Sequence, residues 1–144
     1  MDTSYDKDIV AWSQEQVRLL RSGQLSELDV EHIAEEIEDV GKSEQRELAS
    51  RMAVLLCHLL KRKYQPAYRG TSWEATIQTQ RNSIARRMSK TPSLQASFSD
   101  ADWWADAWDD ALAQAATETG LRYQGFPAAC PWTAGQVMST DFFP

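Results

Sequence analysis

The sequence predicts an all-α protein: a single domain over residues 1–144, built as a bundle of about five helices with an extended C-terminal tail packed on it. Three observations carry that expectation. Apolar residues recur at steps of three and four nearly throughout, the spacing of an amphipathic helix. Glycine, proline and short polar residues fall between those segments, where helices cap and stop. The stretch "LASRMAVLLCHLL" is apolar around most of its circumference, which marks the central helix of a bundle.

In order along the chain, the first helix is expected from a cap near Asp6 to Arg21, with Ile9, Trp12, Gln16, Leu19 and Leu20 on one face and Gly23 beyond its end. A second begins near Ser26 or Asp29 and carries Val30, Ile33, Ala34, Ile37 and Val40 inward. Gly41 interrupts it, Ser43 caps a third, and Pro66 stops that helix after Tyr64. A fourth, capped by Thr71 or Ser72, places Trp73, Ile77, Ile84 and Met88 on one stripe and ends before "KTPS". A fifth starts near Ser99, where Ser99 and Asp102 suit a capping box, and stops at Gly120. It alternates indoles and alanines (Ala101, Trp104, Trp108, Ala111, Ala115) on one side and places Asp102, Asp106, Asp109 and Asp110 on the other. The tail holds three prolines, so only a short turn of helix fits, from Thr133 to Met138. Phe126, Trp132, Phe142 and Phe143 are too apolar to hang free.

The net charge of −6 conceals a division into −8 over residues 1–41, +8 over 42–90 and −6 over 91–144. Within one domain the basic third is expected to pack beside its acidic neighbours and be neutralised internally. The longest apolar run, Met52 to Cys57, is six residues, so neither a signal peptide nor a membrane span is expected, and the protein reads as cytoplasmic. Cys57 and Cys130 have no redox or metal spacing and read as free thiols.

The landmarks "SELDVEHIAEEIEDVGKSEQREL", "HLLKRKYQP", "SWEATIQTQR", "TPSL" and "FPAACPW…FFP" together resemble a bacterial family of unknown function, DUF29, from about Tyr5 to Pro144. The resemblance implies a small all-helical bacterial protein and brings no activity with it. "HLLKRKYQP" carries the family's His58, Leu59, Leu60, Lys61, Tyr64, Gln65 and Pro66, and departs from it at Arg62, where an apolar or aromatic residue is usual.

The densest set of chemical groups is "VEHIAEEIEDVG", residues 30–41, with five carboxylates and a histidine. At about 100° per residue, His32, Glu35 and Asp39 turn away from the apolar centre toward water, while Glu36 and Glu38 flank it. A di-metal bundle needs paired inward Glu and Glu-x-x-His sets from several helices. Here the order is His-x-x-Glu, outward and unrepeated, so neither a metal nor a cofactor is expected. His58 reads as a boundary histidine bonded to a carboxylate or a carbonyl. Cys57, one residue away, points about 100° from it and does not suit a Cys–His pair. Gln80 and Arg81 occupy the flanks of the apolar stripe of the fourth helix, so Arg81 should be partly buried and needs a partner, and Glu36 or Glu38 is the expected one, with Lys61 and Arg51 as further cations for the same segment. The polar cluster to follow is therefore Glu36, Glu38, His58, Lys61 and Arg81.

Three functions follow from these residues. The first is a non-enzymatic interaction module that binds another protein or itself, suggested by six tryptophans, segregated charge and the lack of a convergent catalytic set. The second is nucleic-acid association through the basic 42–90 segment, in which Lys61, Arg62, Lys63, Arg69, Arg86, Arg87 and Lys90 interleave with Tyr64, Tyr68 and Trp73. The third is an enzyme centred on His58 with Glu36 or Glu38. Dispersed glycines make no phosphate loop, and no nucleophile elbow is present.

Overall fold

The computed structural model describes residues 4–65 and 71–144, and of Thr71 its backbone alone. Pro66, Tyr68, Arg69 and the Thr71 side chain, named above as a stop, as members of the basic segment and as a cap, lie outside the described residues. The architecture is all-α, as the periodicity predicts. The chain forms two compact units, Met1–Ser43 and Glu44–Pro144.

In the first unit, α1 (Ile9–Arg21) is capped by Asp8, whose carboxylate accepts from the Ala11 N–H at 3.0 Å. Asp6 is not the cap, because residues Ser4 to Lys7 close a turn in which the N–H groups of Lys7 and Asp8 both donate to the Ser4 carbonyl. Gly23, at φ +76, takes the left-handed conformation just after α1, and the Gln24 N–H closes back on the Leu19 carbonyl at 3.0 Å. A single 3₁₀ turn, Leu25–Glu27, leads into α2.

Helix α2 runs unbroken from Val30 to Tyr64, so Gly41 does not divide it and the second and third expected helices are one. A glycine in a helix interior costs about 1 kcal/mol. Ending the helix there would leave up to four N–H and four C=O groups without intrahelical partners and require a second nucleation, which is more costly.

Its N-terminal face is also not the one expected. Val30, Ile37 and Val40 are 62, 66 and 67% exposed, and Ala34 is exposed as well. Asp29, His32, Ile33 and Glu36 are the half-buried residues there. The reason lies on α1: Trp12 and Gln16 are buried, and their polar atoms need partners that valine and isoleucine cannot supply.

The second unit is built on the C-terminal half of α2, where Leu48, Met52, Leu55, Leu56, Leu59 and Leu60 are fully buried. Helix α3 (Thr71–Lys90) buries Ile77, Ile84 and Met88 of the stripe its spacing predicts, with Trp73 half-buried, and Arg81 is buried with them. A 3₁₀ turn at Pro92–Leu94 and the single turn of α4 (Gln95–Phe98) connect it to α5 (Ala101–Thr119). The cap of α5 is Asp100, bonded to the N–H groups of Asp102 and Trp103, in place of the Ser99 box. Gly120, at φ +72, ends the helix. Ala107, Trp108, Ala111, Leu112 and Ala115 are its buried face. The tail packs on this core through Phe126 and Val137, and α6 (Ala134–Met138) opens with a capping box between Thr133 and Gln136.

Candidate functional site

The first unit holds a polar and aromatic seam between α1 and α2. The Trp12 indole N–H donates to Asp29 Oδ2 at 2.9 Å, and the Asp29 N–H donates to Gln16 Oε1 at 2.8 Å. His32 Nδ1 lies 2.7 Å from the same Asp29 oxygen, and its ring stacks on Tyr5, with centroids 4.2 Å apart. The Tyr5 hydroxyl donates to Glu36. Hydrogen bonding to His32 first, and to Trp12 second, holds the Asp29 carboxyl below its ordinary range. The same His32 bond raises the imidazole above its ordinary value, and the Glu36 bond pushes the Tyr5 hydroxyl up to about 12. His32 is thus a paired, half-buried residue and not a solvated one, whereas Glu35 and Asp39 are exposed as the helical rotation implies. Wheel geometry alone missed this set, although an Asp-x-x-His step at the start of a helix was a legible signal for the pair.

Of the five residues singled out by sequence, Glu36 and Glu38 belong to the first unit and His58, Lys61 and Arg81 to the second. Glu36 takes Tyr5, and Glu38 is an exposed carboxylate 3.9 Å from Lys42 one turn on. Arg81, 3% exposed, finds no carboxylate among the described residues: its Nε donates to the Val137 carbonyl at 2.7 Å and its Nη2 to the Phe142 carbonyl at 2.6 Å, and the guanidinium lies 5.3 Å from the Phe143 ring centroid. Lys61 bonds to Glu118 at 2.5 Å and sits over the Trp73 ring at 5.1 Å. Arg51 lies 3.2 Å from Glu47 on its own helix. Glu36 and Glu38, expected to pair with these cations, thus have partners within the first unit, and Lys61, Arg51 and Arg81 have theirs within the second. Glu118 and the tail carbonyls lie far along the chain from the residues they satisfy, so no local spacing announces them.

His58 donates from Nδ1 to the Val54 carbonyl, at 2.9 Å. Burial is the main cause of a lowered imidazole pKa, which keeps His58 neutral near pH 7. Cys57 Sγ faces Glu118 at 3.8 Å, and burial first, then the Glu118 charge, pushes its thiol up to about 12. A thiol at that value is a poor nucleophile at neutral pH. The Lys61 bond is also the first cause of a lowered Glu118 carboxyl. These groups form a satisfied structural cluster in which the charges are paired. Among the described residues no three His, Cys, Asp or Glu side chains could hold a metal ion, and no helix is long and apolar enough to cross a membrane.

Two surfaces of different character remain. On the first unit, Val17, Leu20, Ile37 and Val40 border an open groove of about 280 Å³ floored by Trp12 and Ile33, with Glu36 on its edge. On the second, Arg51, Arg86, Arg87, Lys90 and Ser83 line a basic cleft of about 330 Å³. Arg87 in that cleft already reaches Glu44 at 3.6 Å and Glu47 at 3.4 Å.

The family model described as a domain of unknown function, DUF29, matches residues 4–143, nearly the whole chain. No curated protein and no solved structure matches it.

Proposed function

We propose that this chain, which belongs to the DUF29 family of unknown function, is a non-enzymatic protein-binding module whose docking surface is the outer face of the α1–α2 hairpin. The observation that carries the reading is the inverted polarity of that hairpin: its polar side chains are turned inward and bonded, while Val17, Leu20, Ile37 and Val40 are left between 43 and 67% exposed. A contiguous apolar strip of this kind on a water-soluble surface marks a contact site. Charge selects the occupant. Residues 1–41 carry eleven Asp or Glu against three Lys or Arg. A second acidic hairpin is repelled, whereas a basic amphipathic helix from another protein meets the strip with its apolar side and the flanking carboxylates with its cations.

The direct test is titration of the full chain with a synthetic Leu/Lys amphipathic helix and with a peptide of the same composition in scrambled order, followed by fluorescence anisotropy. The ordered peptide is expected to bind at least about tenfold more tightly, to lose affinity with salt, and to be displaced from Ile37→Asp or Val40→Asp protein. Equal binding of both peptides, or a stable dimer of the unliganded protein in light scattering that Ile37→Asp dissolves, overturns the reading in favour of non-specific attraction or a second copy. The nucleic-acid alternative rests on Arg86 and Lys90, the cations of the basic cleft that take no carboxylate among the described residues. Retention on heparin that falls steeply with salt, abolished by reversing those two charges, would favour it.

A further inference from the structure

A third cavity, of about 370 Å³, lies in the second unit between the N-terminal half of α5 and the tail. Its lining includes Trp104, Trp108 and Trp132, together with Phe98 and the exposed Asp109. Trp104 and Trp108 stand at i and i+4 on α5, and the neighbouring Ala101 and Ala105 leave the space between helix and tail unfilled. Trp132 comes from the tail and meets Trp108 edge to face, at 5.8 Å and 86°, so two of the indole walls stand nearly at right angles. From this arrangement we infer that the cavity is a binding site for a small methylated ammonium cation, held by the tryptophan π-faces and by the Asp109 carboxylate.

Three features favour a cation over a neutral or anionic guest. The indole N–H groups of Trp104 and Trp108 are already given to the Phe98 carbonyl at 2.7 Å and the Pro127 carbonyl at 3.0 Å. The two N–H groups are therefore not available to a guest as hydrogen-bond donors, which leaves the indole rings themselves as what these walls can offer. Asp109 has no hydrogen-bond or ion-pair partner for its carboxylate among the described residues, and its backbone carbonyl alone is taken, by the Tyr123 hydroxyl. The segment is acidic: residues 91–144 contain seven Asp or Glu and one Arg, and α5 has four aspartates and not a single basic residue, with Glu118 alone of its carboxylates paired to a lysine, Lys61, among the described residues. An anion would meet repulsion there, and a primary ammonium would lose hydration that the cavity cannot replace. Methyl groups on the nitrogen remove that hydration requirement and fill the apolar space. The volume lies within the range of roughly 300–1,000 Å³ usual for small-ligand sites.

The inference is independent of the docking surface on the first unit. It is tested on the full chain by tryptophan fluorescence and calorimetry, with choline as probe against the uncharged isostere in which carbon replaces the quaternary nitrogen, and with sodium chloride as ionic-strength control. Choline is expected to saturate the signal and to bind roughly tenfold more tightly than the isostere. Asp109→Asn, at an exposed position that leaves the fold intact, is expected to lower the choline affinity several-fold and to leave the isostere unchanged. Trp104→Leu removes an indole ring while keeping an apolar side chain, and it should reduce the preference for the cation. Equal affinities for the two probes reduce the site to an apolar cavity and overturn the inference. So does the lack of a saturable response up to about 10 mM choline, a concentration at which even a weak site of about 4 kcal/mol would fill.

Discussion

Replacing Arg81 by methionine removes the guanidinium that ties the C-terminal tail to α3 while keeping much of its apolar stem. The perturbation is large because Arg81 is 3% exposed and its two hydrogen bonds, at 2.7 and 2.6 Å, end on the backbone carbonyls of Val137 and Phe142. A hydrogen bond to a charged group contributes about 1.5–3 kcal/mol net, so two contribute about 3–6 kcal/mol. Against this, an arginine buried without a carboxylate carries a desolvation penalty, visible in the lowering of its pKa by burial, and the methionine relieves part of it. The difference is a destabilisation of about 2–4 kcal/mol, or a fall in Tm on the order of 6–12 °C for a chain of this size. Thermal and urea unfolding followed by circular dichroism measure the total, and amide hydrogen exchange over residues 134–143 measures the release of the tail. Arg81→Lys keeps the charge but not the fork that reaches both carbonyls, so it should fall between the parent and the methionine variant. A methionine variant within about 0.5 kcal/mol of the parent, with tail exchange unchanged, would refute the view that this clamp holds the tail.

Three further outcomes are expected. The two histidines should titrate on opposite sides of the ordinary imidazole value in an NMR pH series, His32 above it and His58 below. The sign for stability follows: the His32–Asp29 bond stabilises fully below the unfolded pKa and its contribution is lost as pH rises through the higher folded value, whereas His58 lowers stability as pH falls from about 6.5 toward its lower folded value. The reverse order of titration would contradict the geometry of both. Gly41→Ala should stabilise by about 0.5–1 kcal/mol, because Gly41 lies in a continuous helix and an added Cβ meets nothing within 4 Å; a loss in Tm would mean that the helix needs a break there. Cys57 should resist iodoacetamide at pH 7 in the folded protein and react readily in denaturant, and mass spectrometry of the labelled peptide checks it. Rapid labelling of the native chain would show that the thiol is neither buried nor raised.

What sequence alone determined was the all-α class and the buried stripes that depend on one helix at a time. Ile77, Ile84 and Met88, the apolar girdle from Leu48 to Leu60 and the short helical turn ending at Met138 are all read from spacing, because periodicity is local physics. The segment from Val30 to Val40 marks the limit of that reasoning. Its apolar moment points one way, yet the partner helix presents an indole N–H and a buried glutamine, and satisfying them turns Asp29, His32 and Glu36 inward and the valines and isoleucine outward. Burial of an unpaired polar group costs about as much as burial of a small aliphatic side chain gains, so the partner decides the outcome. For the same reason the fates of Lys61 and Arg81 were decided in three dimensions: partial burial of Arg81 could be read from the helix, but Glu118 and the carbonyls of Val137 and Phe142 arrive from 56 to 61 residues away. The tertiary structure alone also brings Trp132 across from the tail to Trp108, which turns two tryptophans on one helix into the wall of a cavity.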